Sequence, residues 1–330
     1  MTMWMVRGDG GRLYEDFRER SVAAIGWADL GAEAKKGMTR KQLAALYRGM
    51  RPQSKPGAVI SAASQVWRFI NEMAIGDGVA TYSPSNRTYL LGTITSDSVY
   101  KKEWADDDMA VSRAVKWDQE VDRDDLSDTA KNSLGSTLTV FQIPPPTAGE
   151  LREAVTGKVA LPLPVTDVTD DELADPLASI ELLAVERIKD IVSALGWEDM
   201  QQLVAGILRA MGYKTQVSPA GSDRGKDIIA SPDGFGFENP RIVVEVKHRK
   251  GQMGSEAIRC FLGGRHKDDR GLYVSTGGFS KDAYYEADRA AVPLTLWTLD
   301  NLVRALIEHY DATDTETKRM VPLKRMYWPA

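Results

Sequence analysis

Apolar positions recur at helical spacing in two stretches of the first half. Leu43, Leu46 and Tyr47 predict a helix over about 39–49, and Val66, Phe69, Ile70 and Met73 predict a second over about 61–74. Residues 78–100 change character. Aromatic and β-branched residues alternate with turn signals such as Ser83-Pro84-Ser85-Asn86, which predicts short strands. Another strand is expected at Ser136–Ile143. Pro144-Pro145-Pro146 offers no backbone donors and is expected to end regular structure. From Thr147 to Pro176, seven acidic residues face two basic ones, the composition of a solvated acidic linker. The second half alternates. Helices are predicted at about 177–195, 200–211, 255–262, 281–290 and 300–310, with Gly212 as the C′ residue of the second. Strands are predicted at 213–217, 226–230, 241–246, 272–275 and 294–297. Such alternation implies helices layered on a mixed sheet.

Composition narrows the class. A chain of 330 residues favours two domains, and 43% apolar with 27% charged residues is ordinary for a folded, water-soluble protein. No run approaches the ~18 apolar residues of a membrane-spanning helix, and MTMWMVRGDGG lacks an apolar signal core. No membrane partner is expected. A single cysteine, Cys260, excludes an internal disulfide and suits a reducing cytoplasm. Its apolar helical setting reads as that of a small hydrophobe. With only three histidines, a Cys/His zinc site is not expected. The net charge of −5 argues against a uniformly basic coat but leaves room for a local basic face.

Chemistry concentrates between Gly221 and Lys250. Arg241–Val246 is a β-branched run that predicts a buried strand, on which Glu245 and Lys247 share one face. Asp227 lies eighteen residues before Glu245, on a second short strand that a turn around Gly234 folds back beside the first. Two carboxylates and an ammonium then converge. Two hard oxygen donors suit Mg²⁺, with Mn²⁺ as a substitute, and a lysine beside them can orient a water that attacks phosphate. A Glu-x-Lys triplet alone reads as a surface ion pair. Charge inside a buried strand needs a stronger reason. Between Arg241 and Arg270, eight Lys/Arg face four Asp/Glu, which marks a phosphate-facing surface in an acidic protein. His248, Arg249, Lys250 and Gln252 are the candidate DNA contacts. Asp223 is a possible accessory acid or a turn cap. Ser275-Thr276-Gly277-Gly278 is either a phosphate-binding turn or a tight connection.

Four stretches, in order, resemble the catalytic domain of Mrr-type restriction endonucleases within the PD-(D/E)xK nuclease superfamily. They are LVAGILRAMGY, GSDRGKDIIA, IVVEVKHRK and GLYVSTGGFSKDA. The resemblance implies that Asp227, Glu245 and Lys247 are the catalytic trio, with Asp227 and Glu245 holding the metal and DNA as substrate. Two departures stand out: Lys226 occupies the place of the proline, and Gln201 stands where many relatives carry a glutamate on the preceding helix. Gln201 is thus an uncharged accessory candidate. In the first half, WRFINEMAIGDGVATYSPSNRTYLLGTI is similar to small β-barrel modules of the PUA and EVE type, some of which hold a flipped modified base. Trp27, Trp67, Tyr82, Tyr89 and Trp117 are the aromatic candidates for such a pocket, against a default of core packing.

The expected fold class is α+β in two domains. Residues 1–146 form a β-rich PUA/EVE-like barrel with helices that recognises DNA or a modified base. Residues 147–176 are the acidic linker, and 177–330 form an Mrr-like α/β nuclease domain with a mixed central sheet. The expected function is a cytoplasmic, Mg²⁺-dependent restriction endonuclease acting on modified or foreign double-stranded DNA as a homodimer or higher homo-oligomer. The alternatives are a non-catalytic DNA binder with a degenerate nuclease fold and a structure-specific repair nuclease.

Overall fold

The computed structural model describes residues 2–136, 138–155, 176–218 and 226–326. The chain divides into two compact units between Ala184 and Val185.

The first unit is built on β1 (Met3–Val6), β2 (Val22–Ile25), β3 (Gly78–Ser83), β4 (Thr88–Ile94), β5 (Val99–Tyr100), β6 (Val111–Asp122) and β7 (Val140–Gln142). Their order is β2-β6-β4-β3-β1-β7, with β5 beside β6. Only the β1–β3 pairing is parallel. Successive residues of β1 point to opposite faces, so each face has its own core. Trp4 and Val6 pack with α1 (Tyr14–Arg20), α2 (Ala28–Glu33), α3 (Arg40–Met50) and α4 (Pro56–Trp67). Met3 and Met5 pack with α5 (Asp128–Ser133) and α6 (Pro145–Ala154). Arg113 of β6 is fully buried because its guanidinium donates to the carbonyls of Phe69, Ile70 and Ser96, closing the turn after α4.

Two expectations change here. The barrel is an open half-barrel, because the sheet path ends at β2 and β7 instead of closing. The three prolines start α6 instead of ending regular structure. Pro144 is its N-cap and Pro145 and Pro146 fill its first turn, where no N–H has an intrahelical partner to lose. The supposed linker is therefore helical and partly buried up to Ala154, while residues 156–175 lie outside the described ones.

Helix α7 (Pro176–Ser193) contains the division between the units. The second unit continues with α8 (Trp197–Ala210), β8 (Lys214–Val217), β9 (Ile228–Ser231), β10 (Arg241–Lys247), α9 (Ser255–Leu262), β11 (Asp269–Ser275), α10 (Lys281–Asp288), β12 (Leu294–Thr298), α11 (Leu299–His309) and α12 (Thr315–Met320). The five strands lie in the order β12-β11-β10-β9-β8. β10, β11 and β12 are parallel, and β8, β9 and β10 are antiparallel, which is the mixed sheet expected. Val244, Val246, Leu272 and Val274 pack under α8 and α11. Tyr273 packs on the other face with Ile258 and Phe261 of α9 and Ala283 and Ala287 of α10.

Candidate active site in the second unit

The β9–β10 hairpin sets the site. Gly234 and Gly236 take positive φ in its loop, a backbone region that glycine enters without steric cost. The ladder pairs Ile242 with Ala230, Val243 with Ile229 and Val244 with Ile228. Asp227 immediately precedes β9, and its N–H donates to the Val244 carbonyl at 3.0 Å, one position off the ladder register. Its Oδ2 accepts the Val246 N–H at 2.6 Å. Lys247 shares the face of Glu245, and its Nζ lies 2.6 Å from Glu245 Oε1. Asp227 and Glu245 are 7% and 8% exposed. Buried carboxylates persist only with compensation. Here a backbone N–H serves one and an ammonium the other. Among the described residues, no group of three or more metal-ligating side chains gathers.

With this geometry, the second unit can be placed. Residues 192–306 match the Mrr catalytic family, described as a restriction endonuclease. Residues 4–144 match a family described as a domain of unknown function (DUF8426). The uncharacterized protein y4cE of Sinorhizobium fredii (strain NBRC 101917 / NGR234) is 30% identical over 104 residues, which cover 30% of this chain and 26% of that protein. The matched stretch thus spans about a quarter of that relative. Two solved structures also align. One is the MspJI restriction endonuclease in complex with a 27-mer oligonucleotide (13% identity, TM-score 0.32, covering 87% of this chain and 70% of that one). The other is the DNA modification-dependent restriction endonuclease AspBHI (14% identity, TM-score 0.32, covering 74% and 67%).

The remaining Mrr-region candidates fall in different places. His248 is locked inside the unit. Its Nε2 lies 2.8 Å from the Leu195 carbonyl and its Nδ1 3.2 Å from Thr276 Oγ1, so both ring nitrogens have protein partners. Arg249, Lys250 and Gln252 are exposed just beyond β10. Gln201 is half-buried on α8, which packs on the Val244 face of the sheet, away from Glu245 and Lys247. Asp223 lies outside the described residues. Cys260 is exposed on α9. The turn after β11 is a tight connection. The Thr276 N–H donates to the Lys247 carbonyl, and a Cβ on Gly277 would meet the Gly251 carbonyl at 2.2 Å.

Sequence reasoning missed one neighbour, Tyr273, and took another, Ser275, only as the start of a turn. The β10–β11 register sets Tyr273 beside Glu245 and Ser275 beside Lys247. Only the parallel pairing reveals them, because their own strand reads simply as apolar. Arg265 also senses the site. Burial lowers its guanidinium pKa, and the charge of Glu245 is the largest opposing influence.

The aromatic candidates of the first unit do not share one place. Tyr82 and Tyr89 are buried in the core beneath α5 and α6, where Arg123 donates to the Tyr89 hydroxyl at 2.9 Å. Trp27, Trp67 and Trp117 are half-buried against the other core. The Trp67 and Trp117 indoles donate to the carbonyls of Met38 and Phe17. Trp27 is held at φ 52°, an uncommon backbone state for a bulky residue.

Proposed function

We propose that the protein is a metal-dependent DNA endonuclease of restriction type, directed at modified or foreign double-stranded DNA. The observation that carries the reading is the buried Glu245 of β10, ion-paired to Lys247, with the buried Asp227 carboxylate held on the Val246 N–H of the same strand, in the Mrr region. Two adjacent carboxylates fit a hard divalent cation such as Mg²⁺, which takes few protein carboxylates and fills its remaining positions with water and phosphate oxygens. Asp227 and Glu245 would hold it. When bound, such an ion supplies an activated water at neutral pH and charge stabilisation at the phosphate.

The chain's own groups do the rest. The Val246 N–H fixes the Asp227 carboxylate. Lys247, half in solvent, keeps its ammonium on Glu245 and can donate to the attacking water or a phosphate oxygen. Arg249 and Lys250 lie exposed at the end of the same strand, where duplex phosphates would pass. The first unit is the reader of DNA or of a modified base. Its strained, half-buried Trp27 is the aromatic residue best placed for that role. One trio cuts one strand, so a two-fold dimer is the simplest route to a double-strand break.

The test is cleavage of unmodified, methylated and hydroxymethylated DNA of one sequence, with Mg²⁺ and with EDTA. The reading expects metal-dependent cutting that EDTA stops and that differs among the three DNAs. Binding indifferent to both additives, with no cutting, would make the protein a DNA binder. Cutting that follows DNA shape rather than modification would make it a repair nuclease.

A further inference from the structure

The site does not stop at Glu245. Glu245 and Tyr273 occupy paired positions of β10 and β11, on one face, and the Asp227 carboxylate accepts the N–H of Val246, the residue after Glu245. In the next row, Lys247 is followed by Ser275. The Tyr273 ring is wedged edge-on between Phe261, at 5.3 Å between centroids, and Phe279, at 5.8 Å. The side chain is 1% exposed, yet its hydroxyl makes no hydrogen bond among the described residues. The Ser275 hydroxyl, paired in register with Lys247, is buried without a partner among the described residues. Buried hydroxyls are normally paired, so this one, next to the Tyr273 hydroxyl, marks a place where a polar group from outside the chain is expected.

We infer that Tyr273 is a further catalytic residue, whose hydroxyl donates a hydrogen bond to a non-bridging oxygen of the phosphodiester held beside Asp227, Glu245 and Lys247. This rests on the nuclease reading above. Charge grows on those oxygens as water attacks, so a donor fixed by two aromatic neighbours acts mainly on the transition state.

The experiment compares the full chain with Tyr273→Phe, which removes one oxygen and keeps the ring packing. Tyr285→Phe, on the exposed side of α10, is the control. Three readouts are taken: single-turnover cleavage with Mg²⁺, DNA affinity in EDTA, and melting temperature. The expected result is a cleavage rate reduced about ten- to a hundredfold in Tyr273→Phe. Affinity should stay within about twofold, melting should match the parent, and Tyr285→Phe should behave as wild type. A Tyr273→Phe rate within about twofold of wild type overturns the inference, and so does a rate loss matched by an equal loss of affinity or of melting temperature. Where Asp227→Ala is dead and Tyr273→Phe is not, the inference alone fails. Where the wild-type chain cuts no DNA with Mg²⁺, the nuclease reading fails and the inference falls with it.

Discussion

Lys247 has two tasks that its neighbours separate. It pairs with Glu245, and under the nuclease reading its half-exposed ammonium is also presented to the bound phosphate. Removing it should therefore stop chemistry before it harms binding. Asp227→Ala and Lys247→Ala are each expected to lower cleavage by about a hundredfold or more while DNA affinity in EDTA changes little. Cleavage assays beside a binding titration check this, and full activity in either variant would sink the trio. Gln201→Ala should cost less than either. The basic run behaves differently. Arg249→Glu and Lys250→Glu should each flatten the dependence of log affinity on log salt by ~0.9 per lost phosphate contact. His248→Ala should leave that slope unchanged and instead destabilise the fold by about 1–2 kcal/mol, because it removes the ring's bond to the Leu195 carbonyl and one of several bonds at Thr276 Oγ1. This contrast shows what was legible at the scale of residues. The pairing of Glu245 with Lys247 could be read because a two-residue alternation puts both on one face of β10. The role of His248 could not, because its partners lie 53 and 28 positions away and a basic run looks the same whether it faces solvent or the chain.

Elements of the second unit were legible because each strand or helix there buries one periodic apolar face. In the first unit, β6 was not. It carries Arg113, Lys116, Asp118 and Glu120 among its apolar residues, and its buried arginine makes sense only once the turn after α4 supplies carbonyls. α6 was misread because prolines are helix breakers everywhere except in the first turn. Capping joins elements of the second unit. The Asp314 side chain accepts the Thr317 N–H at the start of α12 and pairs with Arg209 of α8 at 2.6 Å. Partial burial opposes ionisation of this carboxyl, but the Thr317 bonds and Arg209 prevail and hold its pKa near about 2. A carboxyl whose folded pKa lies below its unfolded value of about 3.9 stabilises the fold above that value, and the contribution is lost as pH falls toward 2. Asp314→Ala should cost about 1 kcal/mol at neutral pH, measured by urea unfolding. That difference from wild type should shrink steadily below pH 4. A difference that stays constant down to pH 2 would show that the carboxylate charge is not what holds α12 to α8.

The division between Ala184 and Val185 falls inside α7, which decides where the chain can be cut. On the second-unit side, Lys189 is fully buried and pairs with Glu186 at 3.0 Å and with Asp300 of α11 at 2.6 Å. An isolated buried ammonium is costly, so the second unit needs the end of α7 as part of its own core. A fragment from Pro176 to Ala330 keeps the whole helix and should fold. A fragment starting at Ile191 loses Lys189 and leaves Asp300 with only Arg304, so it should melt at a lower temperature or fail to fold. If the first unit is the reader, the Pro176 fragment should nick DNA with Mg²⁺ but no longer separate modified from unmodified DNA. The fragment ending at Val155 retains α6, whose Glu150 accepts the Ser127 hydroxyl, and should bind DNA without cutting it. Cleavage and binding on matched modified and unmodified duplexes decide the matter. Discrimination that travels with the Pro176 fragment would remove reading from the first unit and assign it to the nuclease face itself. In that case the exposed Arg249, Lys250 and Gln252 beside the trio would be the first residues to test for base contact.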